Sequence, residues 1–195
     1  RCRGGPSEDA MKWGLPFPKR YKRDRYRGFN APTLGGKSTH KATDVGLPVG
    51  TPIYAAADGV IHRVGYDHRL AGTYIEIAHP NGFYSRYLHL SAPTATQPGV
   101  QKGQRVRRGQ TIGLSGGKPG AYGAGNTTSP HLHFEIWTGV PYGGGRIVDP
   151  EKYVPFSKGQ RTGLIRRPRR ALIASSSVFV LLLIGGAILL RRRRL

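Results

Sequence analysis

The chain is poor in cysteine and in acidic residues: its 195 residues include one cysteine and ten aspartates and glutamates. A single cysteine, Cys2, cannot form an intramolecular disulfide, and the lack of a CxxC pair excludes a zinc finger. The sequence also lacks HExxH, which excludes the helical zinc-peptidase motif. It contains one GxSxG match, GLSGG at residues 113–117, but this match lacks the strand-to-helix setting of a serine nucleophile elbow. Residues 1–30 contain no apolar run of signal-peptide length, and residues 38–153 show no amphipathic helical period. We therefore expect a domain of strands whose chemistry depends on other residue types.

The scarcity of acidic residues makes the chain strongly basic. Its 31 lysines and arginines give a formal net charge of +21. Eight of the arginines lie in residues 166–194, and the rest of the chain still carries +13. Such a surface attracts polyanions, which include nucleic acid, anionic lipid headgroups and acidic wall polymers. A merely solubilising surface explains the charge equally well, because no basic helix interleaved with aromatic residues is present.

One long segment has no charge at all. Residues 171–190 read ALIASSSVFVLLLIGGAILL and lie between the basic clusters RRPRR and RRRR. Twenty residues of helix extend about 30 Å, which matches the hydrocarbon core of a bilayer. We therefore predict a single transmembrane helix that anchors the protein in a lipid bilayer. Because each cluster has four arginines, the charge rule leaves the orientation of this helix open.

The composition and periodicity of the sequence predict five parts. Residues 1–38 form an irregular basic arm, because they are rich in Lys, Arg, Tyr and Pro without a helical or strand period. Residues 39–154 form the folded domain, residues 155–170 a basic linker, residues 171–190 the transmembrane helix and residues 191–195 a basic tail. Only the second part is expected to carry an active site.

Short alternating runs separated by Gly, Pro and Asn indicate that this domain is all-β, with an antiparallel sheet. The runs are PIYAA, GVIHRVG, TYIEIAH, FYSRYLHL, QTIGLSG and HLHFEIW, and their spacing is typical of β domains. The clearest hairpin joins TYIEIAH to FYSRYLHL, because Asn81 and Gly82 between them tolerate the positive φ of a tight turn.

The run HLHFEIW places two imidazoles on one face of a strand. Alternate side chains of a strand share a face, so His131, His133 and Glu135 should point one way, while the apolar residues between them point into the core. Glu135 could orient a metal ligand or form an ordinary salt bridge with one of the many arginines.

Two upstream segments carry further metal-ligand types. STHKATDVG contains His40 and Asp44, and YLHLS contains His89 at the end of the predicted hairpin. A catalytic zinc site takes three nitrogen or oxygen ligands from the protein and leaves one position open. These segments therefore make a zinc site plausible if the fold brings them together.

In this order, the segments HKATDVG, GTPIYAAADGVI, GTYIEIAHPNGFYSRYLHLS, VRRGQTIGLSG and SPHLHFEI resemble the M23 family of zinc metalloendopeptidases, the lysostaphin or LytM type. The resemblance covers residues 39–153 and implies an all-β, open barrel-like peptidase domain that cuts peptide bonds in bacterial peptidoglycan. It also implies one Zn²⁺ per chain. Ala42 departs from the family pattern HxGxD, but this change removes no ligand.

Carried over position by position, the resemblance implies that His40, Asp44 and His133 hold the zinc. His131 would act as general base or proton shuttle, and His89 would lie close by and stabilise the oxyanion. The groove would be lined by the loops around His40, His89 and residues 118–129. The remaining histidines are expected at the surface: His62, His68 and His79.

Three functional interpretations remain open at this point. The first is a membrane-anchored peptidoglycan endopeptidase, facing the cell envelope or placed in the internal membrane of a phage virion. The second is an inactive M23-like adaptor or wall-binding module, which would be expected to lack a metal ligand. The third is a basic nucleic-acid binder at a membrane, whose binding would fall with salt and need no zinc.

Overall fold

The computed structural model describes residues 11–156 except 23, 34, 35, 37 and 93–98. All of these residues belong to one compact unit, Arg1–Ile165. The predicted transmembrane helix at residues 171–190 lies outside the described residues, as do the basic tail and nearly all of the linker. In the part of the chain that is described, no helix has the length and apolar character needed to cross a bilayer.

The described residues form strands joined by turns and three short 3₁₀ segments, and they contain no α-helix. The strands are β1 (Arg25–Arg27), β2 (Thr43–Gly46), β3 (Pro52–Tyr54), β4 (Gly59–Asp67), β5 (Gly72–Ala78), β6 (Phe83–Leu90), β7 (Arg105–Val106), β8 (Thr111–Leu114), β9 (His131–Thr138) and β10 (Arg146–Val148). The 3₁₀ segments are Lys19–Tyr21, Pro80–Gly82 and Pro150–Lys152.

The main sheet has the order β1-β2-β9-β6-β5-β4-β7, with β10 added to β9, and a second sheet pairs β3 with β8. Every pair is antiparallel. This confirms the prediction of an all-β antiparallel fold. The order also places β9 between β2 and β6, so that three histidine-bearing segments meet at one place.

The core lies on one side of the main sheet. Leu132, Phe134 and Ile136 of β9 are fully buried in it, as the alternating pattern predicts. Residues from other strands complete this cluster, among them Val45, Ile53, Ile61, Ile77, Tyr87, Leu90 and Ile112. Because the apolar side of β9 is fixed in this way, its polar side chains must face the opposite side of the sheet.

The predicted hairpin is confirmed. Strands β5 and β6 pair antiparallel across Pro80–Gly82. Asn81 has φ 61° and Gly82 has φ 74°, the left-handed conformation that these residue types tolerate. The pairing slips by one residue near its open end, where Thr73 faces Leu90 but Ile75 faces Tyr87. This bulge lies next to His89.

The described part of the amino-terminal segment, which begins at residue 11, contacts the β domain. Phe17 is 1% exposed and belongs to the core, with Trp13 packed against that core. Strand β1 then forms the edge of the main sheet beside β2. Sequence periodicity gave no sign of this, because the segment docks through single aromatic residues and one three-residue strand.

His79 is not at the surface, and the expectation for this histidine was wrong. Its side chain is buried, with Nδ1 2.8 Å from the Asp58 carbonyl oxygen and Nε2 2.7 Å from the Ser85 hydroxyl. The hydroxyl of Ser85 in turn bonds to that of Tyr87. His79 is therefore a structural histidine that satisfies a buried polar network.

Candidate active site

The register between β2 and β9 brings the first two candidate ligands together. Asp44 lies directly opposite His133 in this pair, and Asp44 Oδ1 is 2.9 Å from His133 Nδ1. The predicted strands did not include β2, since TDVG is short and carries a charged residue that turns out to be buried. The Asp44 carboxylate is stabilised in this buried position because the His133 imidazole faces it from the neighbouring strand.

His40 reaches the same point from the turn before β2. Its backbone is paired with Ala31 and Asn30, and its Nδ1 is 3.2 Å from the Gly28 carbonyl oxygen. A carbonyl oxygen can only accept, so Nδ1 carries the proton and Nε2 turns toward Asp44 and His133. Residues 28–31 of the amino-terminal segment therefore position a candidate ligand.

The donor atoms of His40, Asp44 and His133 converge. His40 Nε2 is 3.1 Å from Asp44 Oδ2 and 3.2 Å from His133 Nδ1, and the set lies within a 4.8 Å span. Asp44 Oδ1 is buried and makes no hydrogen bond of acceptable geometry among the described residues, although His133 Nδ1 is near. Two imidazole nitrogens and a carboxylate aimed at a common point fit one zinc ion.

His89 and His131 adjoin this set from the other side, and their rings lie 4.7 Å apart. With His133 they form a second converging group of three imidazoles. His131 stands on β9 two residues before His133, as predicted. His89 occupies the bulge of β6 with φ 60°, a conformation that costs a non-glycine residue energy and that is enriched at active sites.

Backbone carbonyls fix the tautomer of both rings. His89 Nδ1 is 2.8 Å from the Ala124 oxygen, and His131 Nδ1 is 2.7 Å from the Ser129 oxygen. In each neutral ring the proton therefore sits on Nδ1, and Nε2 is the acceptor. The loop 118–129, which was predicted to line the groove, supplies these two carbonyls.

Burial and neighbouring charges separate the titration of these groups. Burial lowers the pKa of His89 to about 3, with the neighbouring His131 and His133 acting in the same direction, and burial also lowers the pKa of His131. For His133, burial lowers the pKa, but Asp44 and Glu135 outweigh it and raise the value to about 9. Burial likewise opposes ionisation of Asp44, yet the contacts with His133 and His40 lower its pKa below the usual range.

Glu135 is buried on the same face and has several partners. Its Oε1 is 3.2 Å from His133 Nε2, while Oε2 accepts from Arg86 at 2.7 Å and from Trp137 at 2.6 Å. Both of the roles that the sequence suggested for Glu135, contact with a candidate ligand and a salt bridge with arginine, are therefore present together.

Arg86, itself buried, was missed by the sequence analysis. It bridges Glu76 and Glu135, with Nε 2.9 Å from Glu76 Oε1. A signal was available, since a hairpin centred on Asn81 places Glu76 opposite Arg86, the observed register. The partner on β9 could not be read from the sequence, because that pairing joins residues 49 positions apart.

The structure thus gathers all five predicted site residues in one place. Two imidazoles and a carboxylate as donors, with two further imidazoles beside them, are the groups of a mononuclear zinc hydrolase. The sequence comparison identifies the particular family. Residues 38–150 match Peptidase family M23, and the chain belongs to this family.

Three similar proteins are named as peptidases. Peptidoglycan DD-endopeptidase ShyA of Vibrio cholerae is 45% identical over 97 residues, which is 50% of this chain and 20% of the relative. A zinc-containing peptidase of Vibrio cholerae shares 36% identity at a TM-score of 0.54, covering 64% of this chain and 36% of the other. The catalytic domain of lysostaphin from Staphylococcus simulans shares 26% identity at a TM-score of 0.55, covering 70% of this chain and 97% of the other.

This chain spans less than a third of the length of the first curated relatives that it matches. The family match at residues 38–150 covers strands β2 to β10 and the five site residues. The relatives' remaining parts have no counterpart in the alignment.

Proposed function

We propose that this chain is a zinc metalloendopeptidase that cleaves peptide bonds in bacterial peptidoglycan. The observation that carries the proposal is the pair of adjoining donor groups, one with His40, Asp44 and His133 and one with His89, His131 and His133. Both groups have the composition of a metal site. We assign the metal to the first group, which includes a carboxylate, and proton transfer to the two histidines that belong only to the second, His89 and His131. The named activity of the relatives supports peptidoglycan as the substrate.

In this proposal His40 Nε2, Asp44 and His133 Nδ1 would hold the ion, because these atoms face one another at 2.9 to 3.2 Å. When bound, zinc supplies Lewis acidity, which makes water a nucleophile near neutral pH and polarises the carbonyl group of a peptide bond. The negative charge of Asp44 is available for this purpose, since its carboxyl group stays ionised in the buried site.

His131 is the proposed general base. Its Nε2 is the acceptor nitrogen and lies 3.9 Å from Asp44 Oδ1, next to the proposed ligands. The lowered pKa keeps the ring neutral at pH 7, so it can take a proton from the attacking water and return it to the leaving amine. The carboxylate of Asp44 stabilises the imidazolium while it holds that proton.

His89 has the same tautomer, which changes the role suggested by the resemblance. A ring that donates through Nδ1 to Ala124 has only an acceptor at Nε2 while it is neutral, and its low pKa keeps it neutral. We infer that His89 first accepts a hydrogen bond from the water or from the amide N–H of the substrate. Oxyanion stabilisation by His89 would need a protonated ring.

We further propose that the uncharged residues 171–190 anchor the protein in a membrane with the peptidase domain on the envelope side. The support is the segment's length, its lack of charge and the arginine clusters at both ends. Envelope placement follows from the location of peptidoglycan, and an internal virion membrane would give the same access at phage entry. The basic arm and arginine clusters would then contact anionic lipid, wall polymer or nucleic acid.

The test is to purify the full chain in mild detergent, measure its zinc content and incubate it with peptidoglycan of several cross-link types. We expect about one zinc per chain and the release of new amino termini. His133→Ala and His40→Ala should lose the zinc and the activity together. A protein that binds zinc but cleaves none of the wall types would instead be a wall-binding module, and the proposal would fail.

A further inference from the structure

The two oxygens of Glu135 have different surroundings. Oε2 receives two donors, Arg86 at 2.7 Å and the indole N–H of Trp137 at 2.6 Å. Among the residues that the structure describes, the hydrogen-bond partner of Oε1 is His133 Nε2, at 3.2 Å. Glu135 and Trp137 are 5% and 6% exposed and Arg86 is 4% exposed, so solvent does not compete for the contacts at Oε2.

Arg86 cannot turn away from this carboxylate. Its Nε is held by Glu76 at 2.9 Å, and its guanidinium lies beside the rings of Tyr74 and Tyr142 at 5.4 and 4.9 Å. A guanidinium held at several points has little freedom, and so it fixes the plane and position of the Glu135 carboxylate.

A carboxylate at this position is an acceptor only. The Asp44 carboxylate, 2.9 Å from Nδ1, is an acceptor as well, so both nitrogens of His133 face acceptors unless a metal ion takes the point that Nδ1 shares with Asp44 and His40. With that point occupied, the Glu135 carboxylate would hold the proton of the neutral ring on Nε2, and the lone pair of Nδ1 would face the metal. The opposite tautomer would place a proton on Nδ1, where a metal ion must bind.

We propose that Glu135, held in place by Arg86 and Trp137, is a positioning residue that fixes the metal-binding tautomer of His133. This inference rests on the proposed function, since it concerns the proposed zinc ligand. It assigns a reason for the buried Glu76–Arg86–Glu135 cluster, which otherwise brings three charged groups into the protein at a desolvation cost.

The decisive variant is Glu135→Gln. Because Arg86 and Trp137 are donors, they would hold the amide oxygen at the Oε2 position and turn the amide nitrogen toward His133. An amide nitrogen can only donate, so His133 Nε2 would have to accept and its proton would move to Nδ1. Glu135→Ala removes the acceptor but leaves both tautomers available.

We therefore expect zinc affinity, measured by competition with a chelator on the full chain, to fall in the order unaltered, Glu135→Ala, Glu135→Gln. Loss of an outer hydrogen-bond partner costs about 10- to 100-fold, with the alanine variant near the lower end and the glutamine variant near the upper end. A role in packing alone predicts the reverse order of the two variants, because glutamine keeps the size of glutamate.

Glu76→Gln is the matched control, since it removes the same charge from the cluster at a residue that does not contact His133. It should weaken zinc binding less than Glu135→Gln.

A second measurement does not depend on any variant folding. In long-range ¹H–¹⁵N spectra of the zinc-loaded chain labelled with ¹⁵N-histidine, His133 should carry its proton on Nε2. A proton on Nδ1, or zinc affinity of Glu135→Gln equal to or above that of Glu135→Ala in folded proteins, would overturn the inference while the unaltered chain still binds zinc. If the unaltered chain binds no zinc, the proposed function fails and this inference fails with it.

Discussion

At the scale of single residues, each imidazole of the site is oriented by a contact of one ring nitrogen, the one that faces away from the site. His40, His89 and His131 each donate through Nδ1 to a backbone carbonyl, from Gly28, Ala124 and Ser129. His133 instead contacts the Glu135 carboxylate through Nε2. Each ring is thereby oriented with its other nitrogen toward the common centre, which is how proteins prepare histidines for metal binding and proton transfer.

The two histidines outside the proposed ligand set should be separable from the ligands by experiment. We expect His131→Ala to lower the rate of peptide cleavage by about 10²- to 10⁴-fold, because a positioned base is lost, while zinc content stays at the level of the unaltered chain. His62→Ala is a suitable control, since His62 lies on β4 against Tyr84 and outside the site. Zinc loss in His131→Ala would show that this residue is a ligand and that the proposed roles are exchanged.

His79 gives a prediction about pH. Burial lowers its pKa below the ordinary value, so the unfolded chain takes up this proton as the pH falls through about 6.5 while the folded chain does not. The stability contribution of neutral His79 is therefore fully present above that pH and is lost as the pH falls toward the folded-state pKa. We expect the free energy of unfolding of the zinc-free protein to decrease more between pH 7.5 and 5 in the unaltered chain than in His79→Gln. Equal slopes in denaturant titrations of the two proteins would contradict this assignment.

At the scale of elements, the sequence predicted the strands that show an alternating pattern of apolar and polar residues. It missed the strands that form only through contacts with distant parts of the chain. The long strands β4, β5, β6 and β9 follow from runs of alternating residues, and the β5–β6 hairpin follows from its Asn81-Gly82 turn. The short strands β1, β2, β7 and β10 carry two to four residues each, too few for a period, and they form because a neighbouring strand is already in place. For the same reason the Asp44–His133 register could not be derived from spacing, although both residues were predicted to belong to the site.

The turn after β8 approaches β6 closely enough to control the position of His89. A Cβ on Gly116 would lie 2.7 Å from the Ser91 nitrogen and 2.8 Å from the His89 carbonyl oxygen, and backbone atoms at these distances must move. We expect Gly116→Ala to destabilise the fold by about 1–3 kcal/mol and to lower cleavage activity, because the bulge that carries His89 is displaced.

Gly113→Ala is the matched control for this prediction. Within the described part of the chain, the added methyl group would meet the side chains of Ile75 and Leu90 alone, at 3.6 Å. This is an ordinary contact distance, so stability and activity should change little. Thermal unfolding and cleavage assays on both proteins measure the difference. If the two variants behaved alike, the close approach at Gly116 would not be what positions His89.

At the scale of the whole molecule, the described β domain accounts for the chemistry but not for the location of the protein. The family match ends at residue 150, and the relatives are more than three times longer than their shared part. What lies beyond the match in this chain is basic sequence and the uncharged residues 171–190. The membrane anchor is therefore a prediction from length and charge alone, and it needs its own test.

A single charge placed within residues 171–190 provides that test. Leu181→Arg should weaken insertion by about 2.5–3.5 kcal/mol, the cost of an arginine near the centre of a membrane helix. Leu181→Ile keeps the apolar surface and should behave like the unaltered chain. After expression and alkaline extraction, we expect the unaltered and isoleucine proteins to remain with the membrane pellet and a large share of the arginine protein to move to the supernatant.

Zinc content and wall cleavage should be equal in all three proteins, because the site is built from residues of the β domain. If all three proteins are extracted alike, residues 171–190 do not anchor the chain, and access to peptidoglycan must depend on the basic surface instead.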